Sequence, residues 1–362
     1  MTDIRIKARS FLTRVFYVLT TIFVLMLLWG RTAMQQGAAL VVAEKHGDSV
    51  KAASLINHDP ALAVSTDRRH RDWTPLHYAA EYGLLDVAHL LIAKNADIDA
   101  RDSTGATPLQ IAAFYGNASV ARLLLNNKAN INSRDKHGWY PLHSASDMGR
   151  TDLVALLLSD NAAVDAKDNI GCTPLHLAAM KGNEGAAALL IASHANVDAI
   201  SKKGREPLHY AAIEGNLDVA KLLLSHNASV ISKDNDGATP LHLSALHGHL
   251  ETCQALINKN ADVNAKDNGD ATPLHYTAEK GNGTVAELLV EHGADVNGIN
   301  INKYTPLAVA AMFGNKDVAK LLLLKNVDIN AKDKFGRTPL RIATLTKHKE
   351  MADLLVQHGA HD

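Results

Sequence analysis

The chain has almost no net charge. Its 37 Lys and Arg stand against 38 Asp and Glu, for a formal charge of −1. A general nucleic-acid binder needs a basic face, so this balance speaks against nucleic acid as a partner. Catalytic signatures are also missing. No G-x-S-x-G, H-E-x-x-H or P-loop occurs, and no G-x-G-x-x-G opens a helix. Aromatic residues make up only 5% of the chain, Cys numbers two and Pro ten. The prolines are few, but their placement is informative.

Nine of them, Pro75, Pro108, Pro141, Pro174, Pro207, Pro240, Pro273, Pro306 and Pro339, are each separated by thirty-three residues. A fixed period of that size marks a solenoid, a propeller or an array. Each unit reads as a Pro, an apolar helical stretch, a Gly, then a second helical stretch. In the second stretch Val219, Leu222, Leu223 and Leu224 have the spacing of one buried face. Pro is tolerated at the first helical turn because its missing N–H would be unpaired there. The Thr before it fits an N-cap. Gly83, Gly116, Gly182 and Gly248 fit left-handed C-caps.

These words resemble the ankyrin-repeat signature, TPLHxAAxxGN…V…LL…GADVNAKD, from Thr74 to about Ala360. The resemblance implies an all-α solenoid of helix pairs with projecting β-hairpin fingers. No single repeat buries its own apolar face, so stability comes from neighbours. The β-branched column Ile98, Ile131, Val164, Val197, Val230, Val263, Val296 and Ile329 suits a short extended segment buried between repeats. The expected organisation is a basic segment over 1–14, an apolar helix over 15–30 and a linker over 31–37. A degenerate capping repeat and loop follow over 38–73, then nine repeats over 74–362, the last acting as a cap.

His77, His143, His176, His209, His242 and His275 share one column. Stacked helices lie roughly 8–10 Å apart, whereas Zn–N bonds need about 2 Å. The column therefore cannot converge on one metal. The resemblance implies instead that each His ties neighbouring repeats through backbone hydrogen bonds. His247 and His249 form an H-x-H pair with no third ligand evident nearby. Turn-forming Asp102, Asp135, Asp168, Asp234, Asp267 and Asp333 fit bonds to their own backbone. Arg68, Arg101, Arg134, Lys167, Lys233, Lys266 and Lys332 form a basic column whose members mostly precede an Asp, as on a solvated edge. Cys172 and Cys253 are two repeats apart, on the order of 20 Å, and are expected as free thiols. The sequons at Asn117, Asn227 and Asn282 fall where the repeat ordinarily carries Asn. The chain is thus expected to be no enzyme, with no cofactor, metal or small-molecule substrate.

Residues Val15 to Gly30 carry no charge. As a helix they would rise about 24 Å, short of a bilayer core of roughly 30 Å. Leu12 and snorkelling by Arg14 and Arg31 make up the difference. The alternative is the apolar core of a cleaved signal peptide. Arg5, Lys7, Arg9 and Arg14 precede the segment and Arg31 follows it. Both readings leave the N-terminus cytoplasmic and the repeats outside the cytoplasm, periplasmic in a bacterium.

The resemblance implies protein partners, bound through finger tips and the concave helix face. Carried onto this chain, Trp73, Tyr82, Phe114, Tyr115, Trp139, Met148 and Met180 gather at concave or near-finger positions of repeats one to four. Aromatics and Met are enriched at interface hot spots. These seven are the candidate partner-binding residues, with the finger tips from Ser103 to Phe335 as the alternative.

Overall fold

The computed structural model describes residues 39–67 and 70–361. The apolar segment over 15–30 lies outside the described residues. The chain divides into two compact units, Met1–Lys136 and His137–Asp362. In the first, a cap formed by a helix over 39–45, helix Ser49–His58 and 3-10 turn Pro60–Val64 precedes two helix pairs. These are Pro75–Tyr82 with Leu85–Ala93, and Pro108–Tyr115 with Ala118–Asn126. The second unit holds seven such pairs, from Pro141–Asp147 with Thr151–Ser159 to Pro339–Leu345 with Lys349–Gln357.

The repeated phrase explains each first helix. Pro sits at N1 and the residue before it is extended, as at Thr173 (φ −93°, ψ 167°). His176 at N3 closes a capping box. The Thr173 backbone N–H donates to His176 Nδ1 at 3.0 Å. That nitrogen is therefore the acceptor, so Nε2 carries the proton and donates to the Arg205 carbonyl at 3.0 Å. His77, His143, His242 and His275 repeat the pattern, reaching Ala106, Cys172, Ala271 and Tyr304. Burial lowers His176 and His209 to about 4. Five of these histidines are thus neutral struts between adjacent repeats, whereas the sixth, His209, is buried and accepts from Glu206 N at 3.2 Å but leaves Nε2 without a hydrogen-bond partner.

The first helix ends on Gly182 at φ +71°, where a Cβ would lie 2.8 Å from Asn216 Oδ1. Asn216 is there because its amide donates to the Ala179 and Met180 carbonyls, at 2.8 and 3.0 Å. Helix ends leave carbonyls without intrahelical partners, and this column supplies them from the next repeat. Asn117, Asn183, Asn282 and Asn315 do the same. Two of the sequon residues, Asn117 and Asn282, therefore spend their amides inside the fold.

The fingers differ from expectation. Among the described residues there is no β-strand, only an isolated bridge between Asp67 and Trp73. The fingers are tight turns rather than β-hairpins, held by a carboxylate at Asp102, Asp168, Asp234, Asp267 and Asp333, by the Asn300 amide oxygen and by the Ser201 hydroxyl at the equivalent positions. Asp168 Oδ1 accepts from Ile170 N and Cys172 N at 2.9 and 2.8 Å, and a single backbone bond joins Asp168 N to the Cys172 carbonyl. The column from Ile98 to Ile329 is likewise half-buried, not buried. Ile98 lies in a turn because Asp97 Oδ1 accepts from Asp99 N, which draws the chain out of an extended path. The basic column binds backbone: Arg101 donates to the Arg134 carbonyl, Lys167 to Ile200 and Lys233 to Lys266.

Candidate partner-binding surface

In the first unit, Tyr82 and Tyr115 each end a first helix and stand one repeat apart. They are 41% and 42% exposed, high values for tyrosines in a packed repeat. Phe114 is half-buried and meets the Tyr115 ring edge-on, with centroids 5.2 Å apart. Partial burial, and then the Glu81 carboxylate beside them, raises both phenols and keeps their hydroxyls protonated. The result is an apolar surface with the Glu81 carboxylate beside its two phenols.

Trp73 does not belong to it. This side chain is 2% exposed and donates from Nε1 to Asp102 Oδ2 at 3.0 Å. It packs among the rings of His70, His77 and Tyr78. Burial alone would raise the Asp102 carboxyl, but hydrogen bonds from Thr104, Ala106 and Trp73 outweigh it and hold it low. Trp73 is a strut from one repeat to the next finger. Arg205 is its counterpart in the second unit, where Nε donates to Asp234 Oδ2 at 3.0 Å. Both pairs are twenty-nine residues apart, a spacing that marks the role in sequence.

In the second unit Trp139 and Met180 are brought together with Ile213, which is not among the seven residues expected from sequence. The three are partly buried and pack on Cys172, Leu177 and Tyr210. Trp139 stacks over His143 at 6.5 Å between centroids. Met148 is half-buried at the end of Pro141–Asp147. Beside it, burial raises the Asp147 carboxyl, and Lys181 at 3.9 Å partly offsets this. The patch thus has an apolar centre with a charged border. Ile213 could have been found in sequence, since it follows Met180 by thirty-three residues.

The groups that could carry chemistry are otherwise engaged. Burial pushes the Cys172 and Cys253 thiols up to about 11, and a protonated thiol is a poor nucleophile. Burial also pushes Tyr210 up to about 12. His249 Nε2 lies 2.8 Å from the Ile213 carbonyl, which occupies that nitrogen as a donor. Burial first, then the neighbouring His249, lowers His247. Among the described residues no three His, Cys, Asp or Glu gather to hold a metal, and no helix is long and apolar enough to cross a membrane.

Comparison with known proteins agrees with the architecture. A family model described as ankyrin repeats in three copies matches residues 95–168, 161–234, 228–300 and 297–362. A second, described as ankyrin repeats in many copies, matches residues 55–112. A 69-residue stretch is 41% identical to the probable E3 ubiquitin-protein ligase XBOS33 of Oryza sativa subsp. japonica. That match spans 19% of this chain and 13% of the rice protein.

Proposed function

We propose, given that the chain belongs to the ankyrin-repeat family, that it is a non-catalytic scaffold. It binds a protein partner through the ends of the first helices in each unit. Its anchors are Tyr82, Phe114 and Tyr115 in the first unit and Trp139, Met148 and Met180 in the second. The observation that carries this reading is the pair of exposed tyrosines, Tyr82 and Tyr115, at equivalent ends of successive repeats. Aromatic side chains that remain half in solvent are costly on a monomer and valuable at an interface. The ligase activity named for the rice protein does not transfer, because the shared stretch covers so little of either chain. The test begins with cross-linked capture of a partner by the full-length protein. Tyr82→Ala with Tyr115→Ala then weakens binding of that partner by about 2 kcal/mol or more. Unchanged binding by a folded double variant moves the surface to the finger tips.

The scaffold is held at a membrane by residues 15–30, with its repeats on the extracytoplasmic side. The support is the uncharged run from Val15 to Gly30 and the four basic residues before it. The other form of the reading is a soluble exported accessory or inhibitor of an enzyme, released by signal cleavage. Mass spectrometry of the mature N-terminus separates the two. Protease added outside spheroplasts digests the repeats or releases them under the anchored form. Digestion only from the cytoplasmic side overturns the orientation.

A further inference from the structure

The opposite helices carry a site of their own, on observations independent of the tyrosine face. One column of the second helices reads Leu90, Leu123, Leu156, Leu189, Leu222, Ala255, Leu288, Leu321 and Leu354. Eight repeats have Leu and one has Ala. At that Ala the structure has a hollow of about 770 Å3, spread across helices Leu217–Ser225, Leu250–Ile257 and Gly283–Glu291. Its apolar surface comes from Leu217, Leu250, Ala255 and Leu288. A side chain missing from a regular stack leaves neighbours without contact atoms on one side, so the hollow has a cause in the sequence.

The polar lining is unbalanced. Glu251, Glu287 and Glu291 face one basic residue, Lys221. None of the three carboxylates has an ion-pair partner among the described residues. Gln254 and Asn258, on the same wall, satisfy each other at 2.9 Å. A binding groove that combines an apolar floor, room for one large side chain and a carboxylate rim selects its occupant by charge as well as shape.

We infer that this groove binds a basic segment of a partner protein, with a Leu- or Phe-sized side chain seated over Ala255 and Lys or Arg on the rim carboxylates. The probe is a fluorescein-labelled amphipathic peptide with Leu at helical spacing and Lys on its other positions. A matched peptide carries Glu in place of Lys. Fluorescence anisotropy on the full-length protein reads binding. The Lys peptide binds and the Glu peptide does not. Ala255→Leu restores the residue of the other eight repeats, leaves the urea midpoint unchanged or higher, and weakens binding at least about tenfold, as loss of an interface anchor does. Glu287→Gln with Glu291→Gln weakens it as well and flattens its salt dependence. The tyrosine-face variants bind the peptide as the parent does. Equal binding by Ala255→Leu, or equal binding of both peptides, overturns the inference. If Ala255→Leu fails to fold, the Gln pair decides: undiminished binding overturns the inference.

Discussion

The Asn183 amide donates to the Ser146 carbonyl, thirty-seven residues earlier, at 2.8 Å, and it also reaches the Asp147 carbonyl at 2.8 Å. One side chain thereby satisfies two carbonyls at the end of the preceding repeat's first helix. His249, in the same column, reaches only Ile213. Asn183→Ala is expected to cost about 1–3 kcal/mol, since the Asp147 carbonyl loses its bond from the amide and the Ser146 carbonyl keeps only the Gly149 N–H at 3.3 Å and that of Met148. His249→Ala is expected to cost less. Urea midpoints of the two variants check this; equal losses would mean that packing at the Gly turn, rather than the bonds, sets the cost.

The buried histidines make stability depend on pH. His176 and His209 titrate at about 4 when folded and at about 6.5 when unfolded. Between those values the unfolded chain binds more protons. The stabilisation is therefore complete above about pH 6.5 and is lost as pH falls toward 4. At pH 5 each residue gives up on the order of 2 kcal/mol relative to pH 7. His176→Gln isolates the effect, because Gln110 occupies this column and its Oε1 accepts from Thr107 N at 3.1 Å. The variant is expected to fold and to lose less stability than the parent between pH 7 and 5. An unchanged difference between those pH values would refute the assignment.

Glu206 stands where most repeats place the capping Thr. It is buried, burial raises its carboxyl, and Oε2 has no hydrogen-bond partner. An unpaired buried polar oxygen costs about 1–3 kcal/mol. Glu206→Thr is expected to raise stability by about 1 kcal/mol or more. The gain is larger at pH 8 than at pH 5, because a raised carboxyl pKa opposes folding only once the group is ionised, and the penalty disappears as pH falls. Thermal unfolding at the two pH values measures both parts.

Lys347 occupies the column that is otherwise Gly, at φ +65°. A left-handed backbone costs an L-residue roughly 1–2 kcal/mol. Lys347→Gly recovers about 1 kcal/mol after the greater flexibility of unfolded Gly is counted. A lower melting temperature would show that the Lys side chain holds the last repeat in place.

For Tyr82→Ala with Tyr115→Ala, the expected loss of stability is about 1 kcal/mol or less, as for ordinary surface changes. Circular dichroism during urea unfolding measures it. Unfolding of the double variant would make these tyrosines structural and remove the basis of the proposed face.

The repeat was legible because its punctuation is local chemistry. Pro at N1, Gly at the left-handed cap and Asp in the turn each act within a few residues. The surroundings of Trp73 and Trp139 were not, because they differ between repeats: the His70 ring beside Trp73 comes from the loop before it, whereas Met180 beside Trp139 comes from the following repeat. The two tryptophans share a column, yet Trp73 finds Asp102 and is enclosed by His70 and Tyr78, while Trp139 stays partly exposed beside Met180. Burial of a side chain in this column depends on neighbours outside the repeated motif, such as His70 for Trp73, and the motif gives no account of them. The finger was misjudged for the opposite reason. Its carboxylate turn is local, and the Asp column already contained it, but the resemblance suggested a hairpin.

Within His137–Asp362 the struts recur at fixed offsets: twenty-nine residues for His176 to Arg205 and thirty-seven for Asn183 to Ser146. Both are set by a period of thirty-three whole codons, so unequal recombination between two such repeats preserves the reading frame. The same crossover leaves each new junction with a donor and an acceptor at the right distance. Genetic material of this kind can lengthen or shorten by units without a period of misfolded intermediates. A singular feature such as Ala255 can then be duplicated, or lost, in one event.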